Sequence, residues 1–281
     1  MKLKRVYIEI SNICNLKCSF CSPVKRKPKV MSVEEFSFIA SQVANFTDFI
    51  YLHVKGEPLF HPHLKEILQI CQKNNLKVNI TTNGTLLKNN EELLLTSSAI
   101  RQINISLHSS PDNKGYICYC VDFAKKLGEH KIFTELRLWN LQNNNNIQEN
   151  NFTLEKIKDT FNIDINVCAA KSIKLADHTF LRFENEFLWP DLGNPYVSDI
   201  GYCHAVKHQI AILADGTVVP CCLDSNGVMD LGNIFQTPLS AILSSARVQK
   251  IKQDFANNIV CEQLCKHCSY RTRFDTKKVY Y

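Results

Sequence analysis

The sequence predicts an α/β protein: parallel strands in a sheet or barrel with helices outside, followed by a smaller cysteine-rich module. Three observations predict it. Apolar alternation or β-rich runs recur at 6–10, 49–54, 77–81, 102–107 and 133–139, with a weaker sixth at 163–169. Helix-like stretches separate them, and repeated strand–helix alternation implies right-handed βα units. The pattern then changes near 175–200, with seven of the thirteen cysteines before Gly201 and six after it.

The elements follow in order. The first strand begins almost at the N-terminus (MKLKRVYIEISNIC), which has no long apolar stretch ending in small residues and so is no secretory signal. Ser32-Val-Glu-Glu35 has the spacing of a capping box and opens an amphipathic run to about Asn45. Leu64, Ile67, Leu68 and Cys71 form one face of a helix over 62–74, and 86–97, 114–128 and 153–161 read the same way. Six asparagines within 143–151 read as a polar surface loop. The stretch 187–195 (FLWPDLGNP) reads as a linker that packs its aromatics. After it, 211–213 and 218–220 flank the turn Asp215-Gly216 with hairpin spacing. The expected division is a core at 1–175, a linker at 176–200 and a C-terminal module at 201–281.

Composition excludes several classes. The chain has 281 residues, 45% hydrophobic and 21% charged, close to the globular average. Its longest apolar run, 116–121, is far short of the roughly 18 to 20 residues that cross a bilayer. Thirty-three basic and 27 acidic residues leave a net charge of +6, mostly dispersed, so no extended nucleic acid is an expected partner. Thirteen cysteines without a secretion signal imply a reducing, cytoplasmic setting, where clustered thiols bind metal or do chemistry.

Cys14-Asn-Leu-Lys-Cys18-Ser-Phe-Cys21 is a C-x3-C-x2-C run directly after a strand. Three thiolates on a short loop can wrap one corner of a cubane cluster and leave its fourth iron open to a ligand. A structural zinc site would need a fourth ligand, for which His61 and His63 are the nearby candidates in sequence. Further segments end successive strands: Lys55-Gly56-Glu57-Pro58, Thr82-Asn83-Gly84, Ser106-Leu107-His108-Ser109 and Arg137-Leu138-Trp139-Asn140. Sites in βα architectures lie at such carboxyl ends.

With Phe20 before the last cysteine, these segments resemble the radical S-adenosylmethionine (radical SAM) enzymes over the first 140 residues. The resemblance implies a partial (β/α)6 TIM-like barrel and a 4Fe-4S cluster on Cys14, Cys18 and Cys21. It also implies reductive cleavage of S-adenosylmethionine to a 5′-deoxyadenosyl radical that abstracts hydrogen from the substrate. The electron would come from a donor such as flavodoxin or ferredoxin. Phe20, Gly56, Glu57, Pro58, Asn83, Ser106, His108 and Arg137 are the implied cofactor contacts. Lys55 replaces the first glycine of the family's Gly-Gly-Glu-Pro segment; it either constricts the loop or points a cation at substrate as a catalytic group.

The later cysteines, Cys203-x12-Gly216-x4-Cys221 and Cys261-x3-Cys265-x2-Cys268, can close a four-ligand site, cubane or zinc. Their spacing is similar to the SPASM auxiliary-cluster module in its shortened, single-cluster twitch form. That likeness implies a second 4Fe-4S cluster on Cys203, Cys221, Cys265 and Cys268, with Cys261 as the alternative to Cys265. Cys222 should face away from Cys221 if both lie in a strand. Cys71, Cys118, Cys120 and Cys168 are expected to be small core hydrophobes.

Lys25-Arg26-Lys27-Pro28-Lys29 reads either as a solvated loop or as a phosphate clamp, with Lys25, Arg26 and Lys27 on a substrate phosphate. The clamp favours a small-molecule substrate, a phosphorylated nucleotide or sugar. By the family resemblance it favours a lyase that releases queuine from a queuosine-type nucleotide in salvage. Two alternatives stand beside it: a cyclitol or sugar-alcohol dehydrogenase using the auxiliary cluster as electron acceptor, and a peptide-modifying maturase. The 13 residues before Cys14 weigh against the maturase, because such enzymes often carry a leader-binding domain there.

Overall fold

The computed structural model describes residues 2–110, 113–140, 144–166 and 171–278. In chain order the elements are β1 (Arg5–Ile8), α1 (Val33–Val43), β2 (Phe49–Tyr51), a 3-10 turn (Pro58–Phe60), α2 (Leu64–Lys73), β3 (Lys77–Thr82), α3 (Leu87–Thr96) and β4 (Ile100–Ser106). They continue with α4 (Lys114–Glu129), β5 (Phe133–Leu138), α5 (Asn144–Phe161), β6 (Ser172–Ala176), β7 (Thr179–Phe183), β8 (Gln209–Ile212) and β9 (Val218–Val219). Three helices follow: α6 (Leu239–Ser244), α7 (Ala246–Ala256) and α8 (Gln263–Lys266). Among the described residues no helix is long and apolar enough to cross a membrane.

The chain forms two compact units: Met1–Gly56, Lys73–Leu76 and Phe187–Tyr281 in the first, Glu57–Gln72 and Lys77–Glu186 in the second. These do not follow the expected division at 1–175, 176–200 and 201–281.

In the first unit β1 lies between two parallel partners, Val6 opposite Ile50 of β2 and Val6 opposite Ile210 of β8. Val6 and Ile8 are fully buried, as an internal parallel strand requires. The expected hairpin forms from β8 and antiparallel β9, with Ala211 opposite Val219. The capping box is present: Glu35 N donates to Ser32 Oγ (3.1 Å) and Ser32 N to Glu35 Oε2 (2.8 Å). It starts α1, which buries Phe36, Ile39, Ala40 and Val43 at helical spacing.

In the second unit β3, β4, β5 and β7 run parallel, and β6 pairs antiparallel with β7 at the edge. Two expectations are corrected here. The sixth strand at 163–169 is absent from 163–166, while 167–170, with Cys168, lie outside the described residues. The sheet is continued instead by β7, in the stretch expected as linker, whose Thr179, Leu181 and Phe183 are buried in alternation. The asparagine-rich stretch is helical from Asn144, because Asn150 is fully buried and donates to Asn140 Oδ1 (3.2 Å). A buried amide pair there overrides modest intrinsic helix propensity. Cys71 and Cys120 are buried in α2 and α4, and Cys118 is half-buried.

One charged side chain organises the first unit. Glu9, just past β1, has no exposed surface. Its two oxygens accept from Arg26 Nη2 at 2.7 and 2.6 Å, Oε1 also from Lys55 N (3.1 Å), and Oε2 from Ala214 N (3.0 Å). Arg26 Nε donates to Ser225 O at 2.8 Å. This corrects the phosphate clamp. Arg26 is an internal strut, Lys25 pairs with Asp191 (2.7 Å), and Lys29 pairs with Glu35 (2.6 Å). Lys27 is exposed. The cations of Lys25 and Arg26 are matched by carboxylates of this chain.

Glu9→Ala would leave a largely buried guanidinium unpaired and should destabilise the protein by about 3–5 kcal/mol in chemical denaturation. The double change Glu9→Leu with Arg26→Met removes both charges and should cost less than Glu9→Ala alone. A double variant as unstable as the single one would show that the pair contributes packing rather than charge compensation.

Candidate functional site

The N-terminal cysteines form an open loop in the first unit. Cys14 and Cys21 are exposed and Cys18 half-buried. Cys21 N donates to Cys18 O (3.2 Å) and Leu16 N to Cys14 Sγ (3.4 Å), so local bonds shape the loop. Phe20 is half-buried within it. Gly56 backs onto its start with φ of +76°; a Cβ there would lie 2.2 Å from Ser11 O and 2.9 Å from Ile13 O. Only glycine permits that backbone approach.

Lys55 is 4% exposed, and its ammonium turns to the loop rather than to open space. Nζ donates to Ser22 Oγ (2.8 Å) and Cys21 Sγ (3.3 Å) and sits 3.3 Å from the centroid of the Trp189 ring. His61 and His63 belong to the second unit, where His63 N donates to His61 Nδ1 (3.1 Å) and His63 Nδ1 lies 3.4 Å from Glu66. Among the described residues no three His, Cys, Asp or Glu side chains converge on one metal-ion position. Three accessible thiols on one loop, with an ammonium beside one sulfur, fit a three-thiolate cubane with an open iron.

The strand-end segments are ordered by bonds within the second unit. Glu57 is 2% exposed: Oε1 accepts from Leu59 N (3.0 Å) and Oε2 from Asn83 N (2.7 Å), joining the Pro58 turn to the end of β3. Burial pushes its carboxyl up, against the pull of these amides. Tyr116 on α4 donates its hydroxyl to Asn83 O (2.6 Å) and Ser106 O (3.0 Å), tying β3 to β4. Asn83 Oδ1 accepts from Thr85 N and Oγ1 (3.0 and 2.7 Å). His108 stacks on Trp139 (centroids 6.1 Å apart, planes at 10°), and its Nδ1 lies 3.2 Å from Arg137 O. That oxygen only accepts, so Nδ1 carries the proton. Burial lowers the His108 pKa to about 4. Arg137 pairs with Glu135 and lies over Trp139. Asn83, Ser106, His108 and Arg137 thus stand at or just past the carboxyl ends of β3, β4 and β5, as expected. The side chains of Glu57, Asn83 and Arg137 hold protein partners there.

The later cysteines surround a cavity of about 180 Å³ in the first unit. Cys203, Cys221, Cys222, Cys265 and Cys268 line it with Met229, Leu264 and Phe274; Cys261 does not. Burial pushes Cys203 up to about 11 and raises Cys221, Cys265 and Cys268. The neighbouring thiols also act on one another: Cys222, Cys203 and Cys265 raise Cys221, and Cys203, Cys268 and Cys261 raise Cys265. Cys261 instead hydrogen-bonds with Asp254. Cys221 and Cys222 pack on different clusters, Cys221 near Tyr202 and Met229, Cys222 against Tyr7 and Val219. Neither lies in a strand, since β9 ends at Val219, so the alternation expected of a strand does not separate them, and both line the cavity. Behind the cavity Arg271, 1% exposed, donates to Cys265 O, Ile200 O and Ser198 O (3.3, 3.2 and 3.1 Å). Cys203, Cys221 and Cys265 are half-buried and Cys268 is buried, and several thiols around one cavity have the donor chemistry of a cluster site.

A family model described as the radical SAM superfamily matches residues 8–149, and one described as an iron-sulfur cluster-binding domain (SPASM) matches 203–269. The chain belongs to the radical SAM superfamily. Its cofactors are S-adenosylmethionine and two 4Fe-4S clusters. Among curated relatives, the antilisterial bacteriocin subtilosin biosynthesis protein AlbA of Bacillus subtilis is 26% identical over 87% of this chain and 60% of its own length. The sporulation killing factor maturation protein SkfB of the same organism is 23% identical over 90% of this chain and 68% of its own. Streptococcus suis SuiB, bound to precursor peptide SuiA, superposes with a TM-score of 0.61 at 19% identity over 95% of this chain and 71% of SuiB. BtrN in complex with AdoMet and 2-DOIA gives 0.61 at 16% over 96% and 94%. These likenesses establish the open α/β barrel fold for this radical SAM protein.

Three residues of these sites escaped sequence reasoning. Glu9 was visible only as a charge after an apolar strand. Tyr116 and Trp189 carried no signal beyond their aromatic character.

His108 gives a pH test. Unfolded, the ring protonates near 6.5; folded, it stays neutral down to about 4. Stability present above pH 6.5 is therefore lost as pH falls, by about 3 kcal/mol at pH 4. His108→Gln should flatten the stability profile between pH 6.5 and 4 in denaturant titrations. Equal slopes in the two proteins would mean the ring is not held neutral.

Proposed function

We propose that this radical SAM protein is a maturase that modifies a peptide substrate. The observation that carries the reading is the pair of relatives matched over 87% and 90% of the chain, both named for making or maturing peptide products. The precursor peptide bound to SuiB adds to it. In this reading Cys14, Cys18 and Cys21 hold the cofactor-binding cluster, and Cys203, Cys221, Cys265 and Cys268 hold the auxiliary one. Cys265 is preferred to Cys261 because it lines the cavity.

When bound, the reduced cluster and S-adenosylmethionine together supply the oxidising power for hydrogen abstraction from an unactivated carbon. The chain's own residues prepare the place for it. Gly56 lets the backbone lie against the cysteine loop. Glu57 and Tyr116 fix the ends of β3 and β4, so that backbone groups near Pro58, Asn83 and Ser106 are preset as cofactor contacts. His108 and Trp139 offer an uncharged stacked surface at the end of β4 and β5. Flavodoxin or ferredoxin in the cytoplasm would supply the electron. The expected queuine-releasing lyase draws on a phosphate site at Lys25, Arg26 and Lys27, of which Lys25 pairs with Asp191 and Arg26 with Glu9. The relatives favour the maturase, one of the alternatives to it.

Anaerobic incubation with S-adenosylmethionine, reductant and short peptides encoded beside the gene tests the proposal. A mass change in one peptide, together with 5′-deoxyadenosine, is the expected result. Turnover confined to a cyclitol or to queuosine monophosphate, with every peptide unchanged, would replace the maturase reading.

The ligand assignment is checked separately by iron and sulfide analysis. The reconstituted protein should hold about eight irons as two cubanes, and changing Cys14, Cys18 and Cys21 together to Ala should leave about four. Cys222→Ala should keep both clusters. Loss of the auxiliary cluster in Cys261→Ala but not in Cys265→Ala would reverse the choice between those two.

A further inference from the structure

We propose that Lys55 sets the reduction potential of the cluster on Cys14, Cys18 and Cys21 through its ammonium hydrogen bond to the Cys21 sulfur. The inference rests on that ligand assignment and is independent of the substrate. Lys55 stands where the resemblance implies a glycine.

Three contacts hold the ammonium in place. Ser22 Oγ accepts at 2.8 Å, Cys21 Sγ at 3.3 Å, and the Trp189 ring covers it with its centroid 3.3 Å away. The ring face is electron-rich and attracts the cation while shielding it from water. A buried ammonium needs an anionic counterpart. Glu9 is the nearby carboxylate, but both its oxygens already accept from Arg26 and from backbone amides. Cys21 is therefore the sulfur on which the charge of Lys55 acts most directly.

The direction of the effect follows from charge. One-electron reduction by an external donor protein adds a negative charge to the cluster, spread over its sulfurs. A positive donor at hydrogen-bond distance from one of those sulfurs favours the reduced form and raises the potential, since hydrogen bonds and net charge around the sulfurs tune it. Lys55 is a positioning residue in this scheme. It moves no proton and touches no reacting carbon.

The test is an anaerobic redox titration of the reconstituted holoenzyme followed by electron paramagnetic resonance. The cofactor-binding cluster is recognised as the signal that changes when S-adenosylmethionine is added, and the auxiliary cluster serves as internal reference. Lys55→Met and Lys55→Gln should each shift the reduction equilibrium of the first cluster at least tenfold toward the oxidised form. That is 59 mV more negative for a one-electron couple. Lys55→Arg keeps the charge and should shift the equilibrium less than either neutral variant, and the auxiliary potential should not move in any of them. An unchanged first potential in Lys55→Met would overturn the proposal. So would failure of both neutral variants to assemble the first cluster while Lys55→Arg assembles it, which would make the cation a structural requirement of the loop.

Discussion

A carboxylate with no access to water holds the first unit together around its cysteines. Glu9 accepts four hydrogen bonds from three separate stretches: the loop after Cys21, the segment at Lys55, and the end of β8. Burying a charge pair of this kind adds little net stability, because desolvation offsets most of the attraction. What it fixes is position. Arg26 reaches Glu9 only if the cysteine loop leaves β1 along one course, and the Lys55 amide reaches it only if the chain after β2 passes close by. Gly56 then meets Ser11 and Ile13, where no side chain could fit.

The same strand serves both thiol sites of this unit. Arg5 and Tyr7 alternate onto one face of β1, and Glu9 follows just past its end. Arg5 and Tyr7 line the auxiliary cavity, while Glu9 anchors the segments around the N-terminal cysteines. A second link is the short stretch Trp189-Pro190-Asp191. Trp189 covers Lys55, Pro190 lines the auxiliary cavity, and Asp191 pairs with Lys25. A linker read from sequence as aromatic packing is thus the element that touches both sites, with a different chemistry at each of three consecutive residues.

What could be read beforehand was whatever is local in sequence. The cysteine spacings, the capping box at Ser32 and the strand ends carrying Asn83, Ser106 and Arg137 all depend on neighbours within a few residues. What could not be read depends on partners far along the chain. A run such as 25–29 looks the same whether its cations face water or carboxylates, and only the fold reveals Asp191 and Glu9 opposite them. Lys55 is the same case, since a lysine next to glycine gives no sign that a sulfur 34 residues away will be its neighbour. The asparagine run misleads for the opposite reason: its local composition favours a loop, but burial of Asn150 against Asn140 decides for helix.

The two sets of thiols differ most in their access to solvent, and the difference fits a division of labour. Cys14 and Cys21 are exposed on a loop whose shape is set by short-range bonds. A cluster held there keeps a face to which a cofactor can come. Cys203, Cys221, Cys265 and Cys268 are instead walled in by Leu264, Phe274 and the hydrophobic cluster around Val248 and Phe255, with Arg271 pinned behind them by three carbonyls. Gly201 makes room for that guanidinium: a Cβ there would come within 1.9 Å of Arg271 Nη1. Buried thiols resist ionisation in such surroundings. A cluster in their cavity would replace thiol protons by metal and tie the folding of the 203–269 segment to it. The open loop is suited to chemistry that must admit and release molecules. The closed cavity is suited to holding a cluster and exchanging electrons alone.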